Sequence, residues 1–204
     1  MKIECGPAHD RRIFELELPQ SKRIGVMVSG GMDSALLYYI LLYLKREQNT
    51  DHYIRPFAVM RKEGSKYHAM PIVSKIASYF EINDEFPTIV GDTALPEQQQ
   101  VESGVIQAIN LVRMDVVYVG VISNRDEHLI GYDKLSYTET DKLKYPFMNL
   151  EKSHIVDLFY QLNITELLEL THSCDLHETI HCNRCNGCTE RIWGFAQMGI
   201  NCIK

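Results

Sequence analysis

Residues 24–37 read Ile-Gly-Val-Met-Val-Ser-Gly-Gly-Met-Asp-Ser-Ala-Leu-Leu. An apolar run enters a turn with two glycines and leaves it as a second apolar run. The first run suits a buried strand and the second a buried helix. Gly30 and Gly31 supply backbone freedom, including positive φ, where no side chain blocks an approaching anion. Ser29, Asp33 and Ser34 bring two hydroxyls and a carboxylate to the start of the helix. The free N–H groups and dipole of that helix end attract phosphate. No Gly-Lys-Ser/Thr closes the turn, and there is no Gly-x-Gly-x-x-Gly. The usual kinase or GTPase loop and the dinucleotide fingerprint are therefore excluded.

The rest of the chain alternates in the same way. Strands are expected at 24–28, 54–60, 86–90 and 116–121, with a short one at 13–18. Helices are expected at 34–46, 71–80, 97–114 and 154–162. Ile72, Val73, Ile76 and Phe80 mark the apolar face of the second helix, and Val105, Ile106, Ile109 and Val112 that of the third. Strands alternating with helices imply βαβ units and an α/β, doubly wound, mostly parallel sheet. Ligands of such sheets bind beyond the carboxyl ends of the strands. That places loops 29–34, 60–65 and 121–126 at one end. Arg61 and Lys62, and Arg125, Asp126 and His128, are candidates there for nucleotide and substrate. Three segments are expected: a lead-in at 1–23, a phosphate-binding α/β domain at 24–165, and a cysteine-rich segment at 166–204.

Cys174, Cys182, Cys185 and Cys188 follow the pattern Cys-x7-Cys-x2-Cys-x2-Cys. Two-residue spacers let a turn aim successive sulfurs at one centre. Four thiolates fill a tetrahedral Zn²⁺ shell and leave no position for water, so a zinc here is structural. An iron–sulfur cluster, a redox pair, or replacement of one ligand by His172, His177 or His181 stays open. Cys5 and Cys202 stand apart as ordinary thiols.

With 204 residues, 45% of them hydrophobic, the chain can bury a sizeable core, and its net charge of −6 disfavours a broad nucleic-acid surface. No signal peptide and no bilayer-length apolar run is seen, so a cytoplasmic protein off the membrane is expected.

The loop resembles the Ser-Gly-Gly-x-Asp-Ser loop of the ATP pyrophosphatase superfamily, the PP-loop enzymes. Those enzymes generally cleave ATP between the α and β phosphates. Together with the Cys-x7-Cys-x2-Cys-x2-Cys end, the chain is similar to the 7-cyano-7-deazaguanine synthase family within it. Pro146-Phe147-Met148-Asn149-Leu150-Glu151-Lys152-Ser153-His154-Ile155 resembles that family's Pro-Leu…Lys-x-x-Ile segment. Thr171-His172-Ser173-Cys174 and Cys185-Asn186-Gly187-Cys188-Thr189-Glu190-Arg191 resemble its C-terminal end. Where the family has Tyr-Pro-Asp-Cys-Arg, this chain reads Ser123-Asn124-Arg125-Asp126-Glu127-His128.

The resemblance implies an ATP site at Val28, Ser29, Gly30, Gly31, Met32, Asp33, Ser34, Ala35 and Met60. Asp33 would support Mg²⁺, and Lys152 would neutralise charge on the phosphates. Arg125 and Asp126, from their place after a strand end, are candidates to face substrate; Arg191 would face phosphate or substrate or, equally, balance the charge of a zinc–thiolate centre. It also implies a structural Zn²⁺ and a reaction in which ATP activates a carboxylate, most simply 7-carboxy-7-deazaguanine, for attack by ammonia. Three other readings stay open: a relative that joins a deazaguanine to a protein partner, a tRNA sulfurtransferase, and a non-catalytic nucleotide-binding module. A homodimer stays open as well.

Overall fold

The computed structural model describes residues 1–59, 65–83, 85–123 and 138–203. Its centre is β3 (Arg23–Met27), which is followed by α1 (Met32–Glu47), β4 (Tyr53–Val59), α2 (Ser65–Tyr79), β5 (Thr88–Val90), α3 (Glu97–Asn110), β6 (Val116–Val119) and β7 (Leu143–Lys144). The sheet runs β5-β4-β3-β6-β7, and every neighbouring pair is parallel. The chain winds outward from β3 through β4 to β5. It then crosses back and continues on the other side through β6 and β7. β3 and β6 therefore flank the switch point at which such sheets bind ligands.

Alternation along the strands sorts side chains onto two faces. Ile24, Val26, Val28, Ala58, Val116 and Tyr118 join one core with α1, α2 and α4 (Lys152–Gln161). Met27, Phe57, Val59 and Val117 join a second, smaller core with Val105 and Ala108 of α3. α1 packs against the sheet, α2 and α4, which explains its apolar residues on nearly every face. Pro56 sits inside β4 without breaking the sheet. The β4–β5 ladder starts only at Phe57, so the missing N–H falls beyond the end of β5.

The helices and strands depart from the sequence-based expectation in definite ways. α2 starts at Ser65 and carries Pro71 inside it, because Ala69, Ile72, Val73 and Ile76 bury one continuous face. α3 ends at Asn110, and Ile106, expected on its inner face, is 57% exposed. β7 was not expected at all; two residues carry no periodicity, and pairing with Val117 and Tyr118 creates the strand. The lead-in forms an antiparallel hairpin, β1 (Lys2–Cys5) with β2 (Arg12–Glu15). Phe14 packs on Phe147 at 5.2 Å between ring centres. The Gly6 N–H donates to Asp157 at 2.8 Å, and Arg12 donates to Glu151 at 2.8 Å, which ties the hairpin to α4. Cys5, Phe14, Leu167, Leu168 and Phe195 all enter the larger core, so the lead-in and the C-terminal segment share it with the sheet.

Candidate active site

β3 ends in the 29–34 loop. The Ser29 N–H donates to Ser34 Oγ at 3.1 Å, Ser34 Oγ donates to the Gly31 carbonyl at 3.2 Å, and the Gly31 N–H donates to Ser29 Oγ at 3.3 Å. These short-range bonds hold the loop closed on itself. Gly31 is the N-cap of α1 and no side chain caps the helix, an end of the kind that attracts anions. The side chains of Val28, Met32 and Ala35 are buried, so these three residues offer a ligand only backbone.

The two glycines differ. Gly30 has φ +91°, and a Cβ there would overlap His68 Cβ and come within 2.8 Å of the His68 carbonyl carbon. Gly31 has φ −82°, an ordinary value, and a Cβ would meet nothing closer than 3.4 Å. The need for positive φ, expected of both residues, belongs to Gly30 alone. Gly30→Ala is therefore expected to cost about 2 kcal/mol or more, and Gly31→Ala less than about 1 kcal/mol. Urea unfolding of the two variants tests this; equal losses would refute the distinction.

Lys152, the first residue of α4, reaches the loop. Its Nζ donates to both oxygens of Asp33, at 2.9 and 2.7 Å, and lies 3.1 Å from Glu190 Oε2. The side chain of Lys152 is 6% exposed, against 20% for Asp33 and 19% for Glu190. Burial alone would push the ammonium pKa down, but the two facing carboxylates outweigh it and raise the pKa, so the lysine is charged. A cation thus stands against the 29–34 loop at Asp33. Beside the loop, a small cleft of about 100 Å³ opens between Met27, Phe57, Val59, Val101 and Val119, with Ser29, Ser34 and Gly120 at its polar edge. An apolar slot with a few hydroxyls suits a flat heterocycle.

The cysteine-rich segment folds over the same end. The His172 N–H donates to the Gly30 carbonyl at 2.9 Å. The rings of His68 and His172 stack in parallel with centres 4.1 Å apart. Burial first, and then His172, push the His68 imidazole pKa below its ordinary value. Nothing in the sequence marks His68, because only the packing of α2 against the loop brings it there.

Cys174, Cys182, Cys185 and Cys188 converge, with ligand atoms all within 4.8 Å of one another. Cys185 is the N-cap of α5 (Asn186–Gln197). Cys174 and Cys185 sulfurs are 3.9 Å apart, close to the edge of about 3.8 Å expected of a tetrahedron with Zn–S bonds near 2.3 Å. The Cys185 N–H donates to Cys182 Sγ, and the Asp175 N–H donates to Cys185 Sγ, both at 3.3 Å. Backbone N–H groups of Arg184 and Cys185 draw the Cys182 thiol down to about 6, whereas burial pushes Cys188 up to about 12. A bound cation is what would let all four act as thiolates. The group could hold one metal ion.

Arg191, expected at a substrate, is 1% exposed. It donates to the carbonyls of Leu168 (2.8 Å) and Ile203 (2.9 Å) and to the hydroxyls of Thr171 (2.7 Å) and Ser173 (3.2 Å). In this arrangement its guanidinium binds the C-terminal segment together. Met60, Arg125 and Asp126, and also Arg61, Lys62 and His128, lie outside the described residues. Among the described residues, no helix is long and apolar enough to cross a membrane.

Residues 122–199 match the family model described as "Queuosine biosynthesis protein QueC". A 7-cyano-7-deazaguanine synthase of Methanothrix thermoacetophila is 38% identical over 83 residues, which are 38% of this chain and 36% of that protein. The Campylobacter jejuni 81116 synthase is 23% identical over 88% of this chain and 96% of its own length. The synthase of Aliarcobacter butzleri is 25% identical over 88% of this chain and 93% of its own. Among solved structures, the NMN synthetase of Francisella tularensis superposes with a TM-score of 0.50 at 14% identity, over 89% of this chain and 79% of its own. The fold is a mostly parallel α/β sheet of the kind seen in that synthetase, and the curated relatives define the class as an ATP-dependent ligase. Within that class the chain is similar to the 7-cyano-7-deazaguanine synthases along 88% of its length at low identity, as a divergent relative would be.

Proposed function

We propose that this chain uses ATP to activate 7-carboxy-7-deazaguanine for attack by ammonia, giving the amide or, after a second activation, the nitrile. The observation that carries the reading is the uncapped start of α1 at the switch point, with Asp33 held on a buried Lys152 behind it. In the first step the carboxylate oxygen attacks the α-phosphorus, and pyrophosphate leaves. Ammonia then displaces AMP from the acyl carbon. Charge builds on the leaving pyrophosphate, so the loop N–H groups, the Ser29 and Ser34 hydroxyls and Lys152 would act where it accumulates. Asp33 would support the Mg²⁺ that accompanies ATP and neutralises its phosphates. The apolar cleft would take a flat base and exclude water from the activated acid.

A structural Zn²⁺ on Cys174, Cys182, Cys185 and Cys188 completes the proposal. Sulfurs this close favour one ion over a four-iron cube, which would spread its cysteine ligands farther apart. The cytoplasm is the compartment that suits these thiols and these substrates.

The chain is to be incubated with ATP, Mg²⁺, ammonia and 7-carboxy-7-deazaguanine, following pyrophosphate release and products by mass spectrometry. Amide or nitrile is expected, with Asp33→Ala slower by about 100-fold. An adduct on an added protein would instead support a conjugating relative. ATP binding without any acid-dependent pyrophosphate would reject the deazaguanine acid.

A further inference from the structure

Glu190 belongs to none of the roles described so far. It lies in the first turns of α5, two residues beyond Cys188, and its Oε2 is 3.1 Å from Lys152 Nζ. The other two contacts of that ammonium go to Asp33, on the loop. Lys152 thus stands between a carboxylate of the phosphate loop and a carboxylate of the cysteine-rich segment. It has little room to move: a Cβ on Gly194, one turn along α5, would lie 2.7 Å from Lys152 Cγ. A lysine so enclosed cannot turn to water if it loses a partner, and an unpaired buried charge is costly.

A divalent cation drawn to Asp33 would compete with Lys152 for the charge of the carboxylate and weaken its hold on the ammonium. Two oxygens are now committed to the ammonium. Turning one or both toward Mg²⁺ would expose the lysine to that cost unless a second carboxylate remained. We propose that Glu190 is a positioning residue that keeps Lys152 paired while Asp33 is drawn to the Mg²⁺ of ATP. This rests on the reading of the loop as an ATP site with Asp33 supporting Mg²⁺. It also gives the cysteine-rich segment a task at the phosphates, because α5 carries both Cys188 and Glu190.

Simple charge arithmetic points the other way. Removing a negative charge near a triphosphate should tighten nucleotide binding. Mg²⁺ separates the two effects: charge relief acts with or without the ion, whereas the exchange at Asp33 operates only with it.

The test is calorimetric titration of ATP into the metal-loaded full chain and its Glu190→Gln variant, across a series of Mg²⁺ concentrations that includes none added. The half-saturating Mg²⁺ concentration should rise about tenfold in the variant, the scale of one lost charge-assisted contact. ATP affinity without Mg²⁺ should stay level or tighten. The melting temperature and the bound metal should be retained. Glu190→Ala, a better helix former, is the second neutral variant and should shift the same way. An unchanged Mg²⁺ dependence in the variants would overturn the proposal and leave the ATP site intact. Equal weakening with and without Mg²⁺ would reduce Glu190 to a structural contact and overturn it too. Wild-type chain that binds no ATP at any Mg²⁺ concentration would overturn both readings.

Discussion

Lys152→Met should lose at least about 100-fold in ATP turnover, because it removes the cation that stands behind the phosphate loop. The same substitution should destabilise the fold by about 3 kcal/mol, the lower end for breaking a buried ion pair. The lower end applies because Asp33 and Glu190 are each about one-fifth exposed and recover some water when the ammonium is gone. Methionine matches the lysine stem in length and apolar character, so the space beside Gly194 stays filled and the loss is one of charge. Pyrophosphate release and urea unfolding read the two effects separately. Turnover within threefold of wild type would remove Lys152 from the chemistry, whatever happened to stability.

The second large effect is expected at the cysteines. Cys185→Ser should release the metal and destabilise the chain by about 3 kcal/mol or more. For a chain of this size that is a fall in melting temperature of about 10 °C. Cys185 is an apt choice because its sulfur accepts the Asp175 N–H at 3.3 Å and the residue starts α5. Loss of the ion should therefore loosen the start of the helix that carries Glu190 and Arg191. Segment 172–190 has little apolar packing of its own; Leu176 and Ile180 are 60% and 59% exposed. A variant that keeps one equivalent of metal and melts with wild type would show that the four thiols do not act together.

Much of the site could be read along the chain, because its parts are local. The 29–34 loop joins strand and helix within fourteen residues, and the hydrogen bonds among its own members span two to five positions. Strand and helix periodicities are near-neighbour properties, so the alternation that makes a parallel sheet was legible as well. Cys182, Cys185 and Cys188 are spaced so that one turn gathers them, and Cys174 is near enough to complete the set.

What the tertiary structure decided is long-range. Asp33 and Lys152 are 119 positions apart, and nothing local to either says that they meet. Their pairing follows from α4 packing beside α1 on one face of the sheet. Glu190 reaches Lys152 only because α5 crosses α4 at Gly194. His68 reached the loop because α2 extends N-terminally through Pro71, where buried apolar contacts overrode the proline signal. Arg191 reads as a free cation in the sequence, but in the fold its donors meet the carbonyls of Leu168 and Ile203. The sequence by itself therefore determined the α/β class, the strand–loop–helix turn at 29–34 and the thiol set, all of which depend on spacing. Which charges face one another, and which of two adjacent glycines must be a glycine, depend on packing between distant segments, and only the folded chain brings those segments together.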